Sequence, residues 1–477
     1  MNIDVMGEIE KTNESPPLSK SDGLSYTQML ELDTRDVPDF LMEESQIDLG
    51  NEPLSTERYT SQSYADLEAE KMWPNVWQFA AREEDCPNPG DSIVFDNAGK
   101  SFLIVRQKNG SIKAFYNVCL HRGRKLRSQS GNVSELKCPF HGFSWHHDGQ
   151  LKNIPCQWDF DHLEYKKMSL PELRVELWQG FIMISEKQDI EPFRDWLGPV
   201  ASHWDRWNLD ECYTALWVGR EIACNWKVAA EAFMEAYHSV VTHPQILAFT
   251  GDANTRYDLY GDHVNRAITP SATASPHVAH LYDQDYVLEK LSSTGGRRAL
   301  EETGFALEKA RDGLESDDPV LARKVIAESN RHTFGEDCGR DFSEMTDSEM
   351  VDNFTYNIFP NFSPWGGFVP NLVYRWRPGE DPDHCFMEIR VLKRADINKP
   401  KPKSAKMFVV PNDQPFSTAS EVMGHLLAAV FDQDLGNLPE VQSGLKSSFN
   451  KEVNFGAYQE SRIRHFAVTL EKYLALK

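Results

Sequence analysis

The 477-residue chain predicts an α+β protein of two domains, a small antiparallel β domain followed by a larger antiparallel sheet with helices packed against it. Three observations carry this expectation. Domains usually run to about 100–200 residues, so the chain can bury at least two cores. Short alternating apolar runs at 92–95, 102–105 and 112–116, separated by Gly99 and Asn109-Gly110, read as a meander of strands. The second half mixes further strands with pieces of helical spacing, as an α+β domain requires. The boundaries read from composition are an acidic mobile tail at 1–45, a first domain with a leading helix at 46–205, and a second domain at 206–477 with a helical insert at about 250–352.

Lys and Arg number 50 against 73 Asp and Glu, a net charge of -23 that repels phosphate backbones and anionic lipid. Nucleic acid is excluded as a partner class. No apolar run approaches the roughly 18–20 residues of a membrane span, and the opening residues lack an apolar signal core. A soluble, cytoplasmic protein is expected. The eight Cys, at 86, 119, 138, 156, 212, 224, 338 and 385, show no disulfide rhythm and suit a reducing compartment.

Taken in order, residues 1–45 are rich in Ser, Glu, Asp and Pro and cannot bury enough apolar surface to offset their ordering entropy. Tyr64, Leu67, Met72, Val76 and Trp77 fall at helical spacing behind Ser61 or Ser63 as a cap, which gives the leading helix. After the meander come two loops, Cys119-Leu120-His121 and Cys138-Pro139-Phe140-His141, with Gly123, Pro139 and Gly142 as their turn residues. A mixed Cys₂His₂ set holds either one tetrahedral zinc or a two-iron, two-sulfur cluster with His₂ replacing Cys₂ on one iron. Zinc fingers commonly present a Cys pair and then a His pair. Here each loop supplies one of each, an order that resembles the Rieske motif and places Cys119, Cys138, His121 and His141 as the [2Fe-2S] ligands. His146 and His147 miss that spacing and read as surface residues; Cys86, Cys156 and Cys224 read as buried thiols.

Residues 173–185 read as the closing strands of the first domain, and 191–211 as the connection. A strand at 213–223 then precedes Asn225-Trp226-Lys227, read as a capped and packed helix entry, and a helix over 227–242 that stops at Pro244. Glu235 and His238 share a face of that helix. His238 and His243 are five residues apart, about 140° round an ideal helix, so one regular face cannot present both. Pro244 pushes its predecessor out of helical geometry, which lets His243 swing toward His238. Two His and a carboxylate make the facial triad that leaves open positions on Fe(II) for oxygen. Three helix-like pieces over 283–330, strands at 354–359, a hairpin pairing 372–377 with 386–393, and helices at 417–433 and 456–475 complete the pass. Phe354, Phe359, Phe362, Trp365 and Phe368 read first as core, with a greasy pocket as the functional alternative.

A Rieske-type set followed by Glu-Ala-Tyr-His-x4-His-Pro resembles the large subunit of the Rieske non-haem iron oxygenases, over about residues 55–475. The resemblance implies a helix-grip-like catalytic domain and a mononuclear iron completed by a late Asp in a QD element. Gln433-Asp434 fits that element, followed eight residues on by Gln442, and Asp432 is the rival. It also implies that Glu235 bridges to the cluster ligand His141 of a neighbouring subunit, in a ring of three with or without a small beta subunit. Many members have Asp at the position of Glu235. The implied activity is hydroxylation of a hydrophobic aromatic or alicyclic substrate, using O₂ and electrons from an NAD(P)H-dependent reductase, directly or through a ferredoxin. The chain has no dinucleotide fingerprint or P-loop of its own. Two other classes stand beside this one: a cluster-only electron carrier, which needs no second domain, and a zinc-stabilised binding protein. Metal content separates them, at about three irons, two irons or zinc per chain by the ligand sets above.

Overall fold

Strands Asp91–Asn97, Lys100–Arg106 and Ile112–Tyr116 form the meander that their turns predict, with Phe95 opposite Phe102 and Leu103 opposite Phe115. Gly99 and Gly110 take the left-handed backbone (φ 76° and 85°) that these turns demand. In the computed structural model, which describes residues 21, 23–291, 310–368, 371–419 and 423–475, the meander sits in a seven-stranded sheet closed by Glu172–Trp178, Phe181–Ser185 and Gln78–Arg82. The Lys100–Arg106 strand is covered on both faces. Phe102 and Ile104 pack with Ala114 and Ile182, whereas Leu103 and Val105 pack with Phe115, Cys119, Cys138 and Trp145. The second face therefore seats the two Cys/His loops, one of which rises from a small sheet of Leu136–Lys137, Ser144–Trp145 and Leu151–Asn153.

The second sheet has eight strands, ordered Arg256–Tyr260, Val264–Thr269, Asn353–Ile358, Phe362–Gly366, Asn371–Pro378, Cys385–Arg394, Cys212–Ile222 and Phe408–Val409. Every pair is antiparallel except the last. Alternation along Asn371–Pro378 gives its faces different work. Arg375 donates to the carbonyls of Phe79 (2.7 Å) and Ala80 (2.6 Å) and pairs with buried Glu388, and Arg390 pairs with Asp85 (2.7 Å), so this face grips the first domain. Tyr374 and Trp376 point the other way, against Phe233 and the helices that carry the candidate metal site.

Several elements differ from the sequence expectation. Residues 1–20 and 22 lie outside the described residues, but 25–45 do not behave as a mobile tail. Tyr26, Met29, Leu30 and Leu41 are buried, the Tyr26–Glu31 helix has a Ser25 capping box, and Asp33 accepts the amide N–H of Asp347 (2.9 Å) and Ser348 (3.1 Å). The polar composition hid a few well-spaced apolar anchors. The insert at 250–352 is not wholly helical, because Arg256–Tyr260 and Val264–Thr269 form a hairpin in the sheet around Gly261. Helices do follow at Gln284–Leu291, Leu321–Cys338 and Asp347–Val351, while much of the middle predicted piece falls in 292–309, outside the described residues. The expected leading helix is α-helical over Gln62–Leu67 and then continues as a π turn, Glu68–Met72, and a 3₁₀ turn, Trp73–Asn75. The helix expected at 417–433 runs instead over His425–Ser447, and the last is Ser461–Leu474. Cys86 and Cys224 are buried as expected, but Cys156 is exposed.

Candidate metal centres

The two Cys/His loops close in the same way. Cys119 N–H donates to Arg124 and Gly123 N–H returns to Cys119; Cys138 N–H donates to Phe143 and Gly142 N–H returns to Cys138, at 2.8–3.0 Å throughout. Gly123 and Gly142 both have positive φ (75° and 83°), the conformation a tight return of this kind needs. The thiols of Cys119 and Cys138 are free, buried and adjacent. Burial pushes the Cys119 thiol up, and the neighbouring Cys138 adds to the shift. The imidazoles lie outside them, His121 and His141 with ring centroids 4.7 Å apart and His121 stacked flat on Phe143. Two thiols beneath and two imidazoles at the surface suit a cluster with an inner Cys-held iron and an outer His-held one. Phe140 (57% exposed), its ring centroid 3.8 Å from that of His141, borders that outer face.

The second constellation converges from three segments. The helix expected over 227–242 breaks: Trp226–Glu231 is helical, residues 232–238 turn, and a short helix resumes at Ser239–Thr242. The turn is propped from outside, with Arg462 donating to the Met234 carbonyl (3.1 Å) and the Tyr257 hydroxyl accepting the Ala236 N–H (3.1 Å). Glu235 closes it, accepting the His238 amide N–H on Oε2 (3.0 Å) while Oε1 meets His238 Nδ1 (2.6 Å). His243, just before Pro244, leaves helical geometry (φ -123°, ψ 53°) as the proline predicts. Asp434, on the long C-terminal helix, then reaches both imidazoles, 2.8 Å from His243 Nε2 and 3.5 Å from His238 Nε2. Candidate ligand atoms of His238, His243 and Asp434 all lie within 4.8 Å of one another, close enough to hold one ion. His243 Nδ1 is fixed by Gln433 Oε1 at 2.9 Å.

Electrostatics agree with a cation site. Burial works against charge on His238, but hydrogen bonds to Asp434 and Glu235 outweigh it and lift its pKa to about 10. Burial likewise opposes ionisation of Asp434, yet His238 and His243 hold its carboxyl below the usual range. Without an ion a proton fills the positive role, and a metal would displace it. The rival Asp432 is spent elsewhere, its carboxylate accepting the amides of Phe416 and Ser417. Nor does Glu235 pair with Lys227, which is wholly buried against Glu68 (2.6 Å).

All eight predicted site residues fall into these two groups, four in each. Sequence reasoning missed the groups that hold them. Gln433 stood in plain sight beside Asp434. Arg462 and Tyr257 carry no local signal, because their partners lie more than twenty residues away. Gln442 proves to be a brace between helices, its Oε1 accepting the Asn225 N–H and its Nε2 donating to the Tyr59 carbonyl. Of the aromatic set, Phe354, Phe359 and Phe362 are core, and Phe368 lines a cavity of about 440 Å³ with Phe334 and Phe342.

Fold and donor sets together define a two-domain metalloprotein, with a Cys₂His₂ centre in a β domain and a His₂-carboxylate centre on an antiparallel sheet. The chain belongs to the ring hydroxylating alpha subunit family, whose catalytic-domain model matches residues 203–476, and it carries a Rieske [2Fe-2S] domain matched over 76–165. It is 32% identical over 191 residues to the chlorobenzene dioxygenase subunit alpha of Cupriavidus sp. (strain PS12), covering 39% of this chain and 42% of that one. To the oxygenase subunit of glycine betaine monooxygenase from Pseudomonas aeruginosa PAO1 it is 28% identical over 192 residues, 40% of this chain and 44% of that one. These alignments span less than half of the curated relatives. Among solved structures, naphthalene 1,2-dioxygenase from Rhodococcus sp. bound to indole shares the fold at TM-score 0.57 and 17% identity, over 88% of this chain and 94% of that one. The quaternary ammonium Rieske monooxygenase CntA does so at TM-score 0.61 and 18% identity, over 89% of this chain and 96% of that one.

Proposed function

We propose that this chain is the terminal oxygenase component of a Rieske system, hydroxylating a hydrophobic aromatic or alicyclic substrate with O₂ and externally supplied electrons. The observation that carries this reading is the convergence of His238, His243 and Asp434 in a domain separate from the Cys₂His₂ loops. A cluster-only carrier has no use for such a site. Cys119 and Cys138 would hold one iron of the cluster and His121 and His141 the other; His238, His243 and Asp434 would hold a mononuclear Fe(II). When bound, that iron supplies the position at which O₂ is activated beside the substrate, and the cluster supplies single electrons.

The protein's own work is orientation. Glu235 and Gln433 fix the imidazoles of His238 and His243 through their Nδ1 atoms, so that both Nε2 atoms face Asp434. Glu235 is also the proposed bridge between subunits, accepting a hydrogen bond from His141 of a neighbouring copy in a homotrimer. Exposed apolar side chains support that docking, Phe140 packed on the His141 ring and Tyr237 (53% exposed) close in sequence to Glu235. Electrons would come from a separate NAD(P)H-dependent reductase, directly or through a ferredoxin. No helix among the described residues is long and apolar enough to cross a membrane; the cytoplasm is the proposed site of action.

Metal analysis of the purified chain tests the reading. About three irons per chain, falling to two in Asp434→Ala with the cluster spectrum intact, is the expected result from the ligand sets. Zinc in place of iron, or two irons in both proteins, would remove the oxygenase assignment.

A further inference from the structure

The cavity of about 440 Å³ beside Phe368 belongs to neither metal group. It sits at the end of the hairpin where Asn371 faces Leu392, three residues and about 10 Å along the strand from Tyr374, which packs on Phe233. No residue that lines it is a proposed metal ligand. Its volume falls in the roughly 300–1,000 Å³ range of small-molecule sites. One end is aromatic. Phe334 comes from the Leu321–Cys338 helix, Phe342 follows that helix, and Phe368 meets Phe342 edge-on at 5.0 Å. Arg394 lies over the Phe368 ring at 4.8 Å, its guanidinium donating to the Trp207 and Asn208 carbonyls with Glu211 at 3.6 Å, so that ring is held in place. The other end is polar. Tyr213 and Lys393 stand directly opposite each other on antiparallel strands, so their side chains leave the sheet side by side on one face, and both line the cavity.

Among the described residues neither the Tyr213 hydroxyl nor the Lys393 ammonium has a hydrogen-bond or ion-pair partner. An unpaired lysine alone is an ordinary solvated cation, and a half-buried tyrosine with a free hydroxyl is equally ordinary. What distinguishes this pair is that two donors in cross-strand register share one ligand-sized cavity with three phenylalanines. We propose that the cavity is a second small-molecule site, one that takes a flat aromatic monocarboxylate. The ring lies among Phe334, Phe342 and Phe368, and the carboxylate accepts from the Tyr213 hydroxyl and the Lys393 ammonium. Hydrogen bonds to a carboxylate are roughly twice as strong as those to a neutral acceptor, which favours the acid over an uncharged ring of the same size. Asp337 also lines the cavity, so a second negative charge on the ligand is disfavoured. This site does not depend on the oxygenase reading above.

The test titrates the iron-loaded full chain, with O₂ excluded, by calorimetry against 2-naphthoate and its neutral counterpart 2-naphthalenemethanol. Wild type should bind the carboxylate about tenfold more tightly than the alcohol, the discrimination expected of one charge-assisted hydrogen bond. Lys393→Gln, a change at an exposed position, should remove most of that ratio, and Lys393→Gln combined with Tyr213→Phe all of it, with alcohol affinity, iron content and cluster spectrum unchanged. Asp434→Ala should bind 2-naphthoate as tightly as wild type, because the cavity is separate from the triad. No binding of 2-naphthoate, equal affinities in wild type, or a preference that survives in the double variant would overturn the proposal. Loss of 2-naphthoate binding in Asp434→Ala would overturn it too, by placing the ligand at the triad.

Discussion

Replacing Glu235 by Gln takes one negative charge from beside His238 and leaves the side-chain volume nearly unchanged. The carboxylate now makes two bonds to one residue, at 2.6 Å to the ring and 3.0 Å to the amide N–H. Gln offers a single acceptor oxygen, so one of those contacts becomes a meeting of two donors and the other loses its charge assistance. A charge-assisted bond is roughly twice as strong as a neutral one, which sets the loss at about 1–1.5 kcal/mol, or about tenfold in affinity for iron at the triad. That is the lower end of the roughly 10–100-fold range for groups that orient metal ligands. No proposed metal ligand is removed, so at saturating iron both centres should fill. Single-turnover oxidation of the cluster by O₂ and substrate should nevertheless slow by well over tenfold, because the proposed bridge to His141 of the next subunit has lost its charge. Iron retained against a chelator series measures the first effect and stopped-flow absorbance of the cluster the second. A variant that loses iron affinity as expected but oxidises its cluster at the wild-type rate would end the bridging role and leave Glu235 as an orienting group alone.

Three further outcomes are expected. Asp434→Ala should abolish turnover, whereas Asp432→Ala should keep it and lose only about 1 kcal/mol of stability, since Asp432 caps the Phe416 and Ser417 amides; the reverse pattern would transfer the ligand role to Asp432. His121→Cys should lower the reduction potential of the cluster, because a thiolate carries the charge that imidazole lacks, and an unchanged potential would remove His121 from the ligand set. Burial opposes ionisation of Glu388, but Arg375 and Arg377 outweigh it and bring its pKa from 4.5 to about 2. A depressed carboxyl stabilises the fold above its unfolded pKa, so up to about 3 kcal/mol should be present above about pH 4.5 and lost as the pH falls toward 2. Urea unfolding across that window should show the slope in wild type and a flatter one in Glu388→Gln; equal slopes would refute it.

The sequence by itself determined the chemistry. Cys119-x-His121 and Cys138-x-x-His141 lie on short loops whose glycines dictate the turn, so the type and spacing of the proposed ligands were local facts. Pro244 likewise bent His243 out of the helix without help from elsewhere, and the hairpin of Asn371–Pro378 with Cys385–Arg394 was legible from alternation. What lay beyond local pattern was left to the tertiary structure. The break at 232–238 depends on Arg462 and Tyr257, and the choice of Asp434 over Asp432 depends on which turn of the His425–Ser447 helix faces the imidazoles. The ordering of residues 25–45 depends on partners such as Asp347 and Asp352, more than three hundred positions away. A short loop closes on itself at small entropic cost, so its residues suffice to specify it. A long-range contact exists only once the whole sheet has brought its two halves together, and no window of sequence contains both.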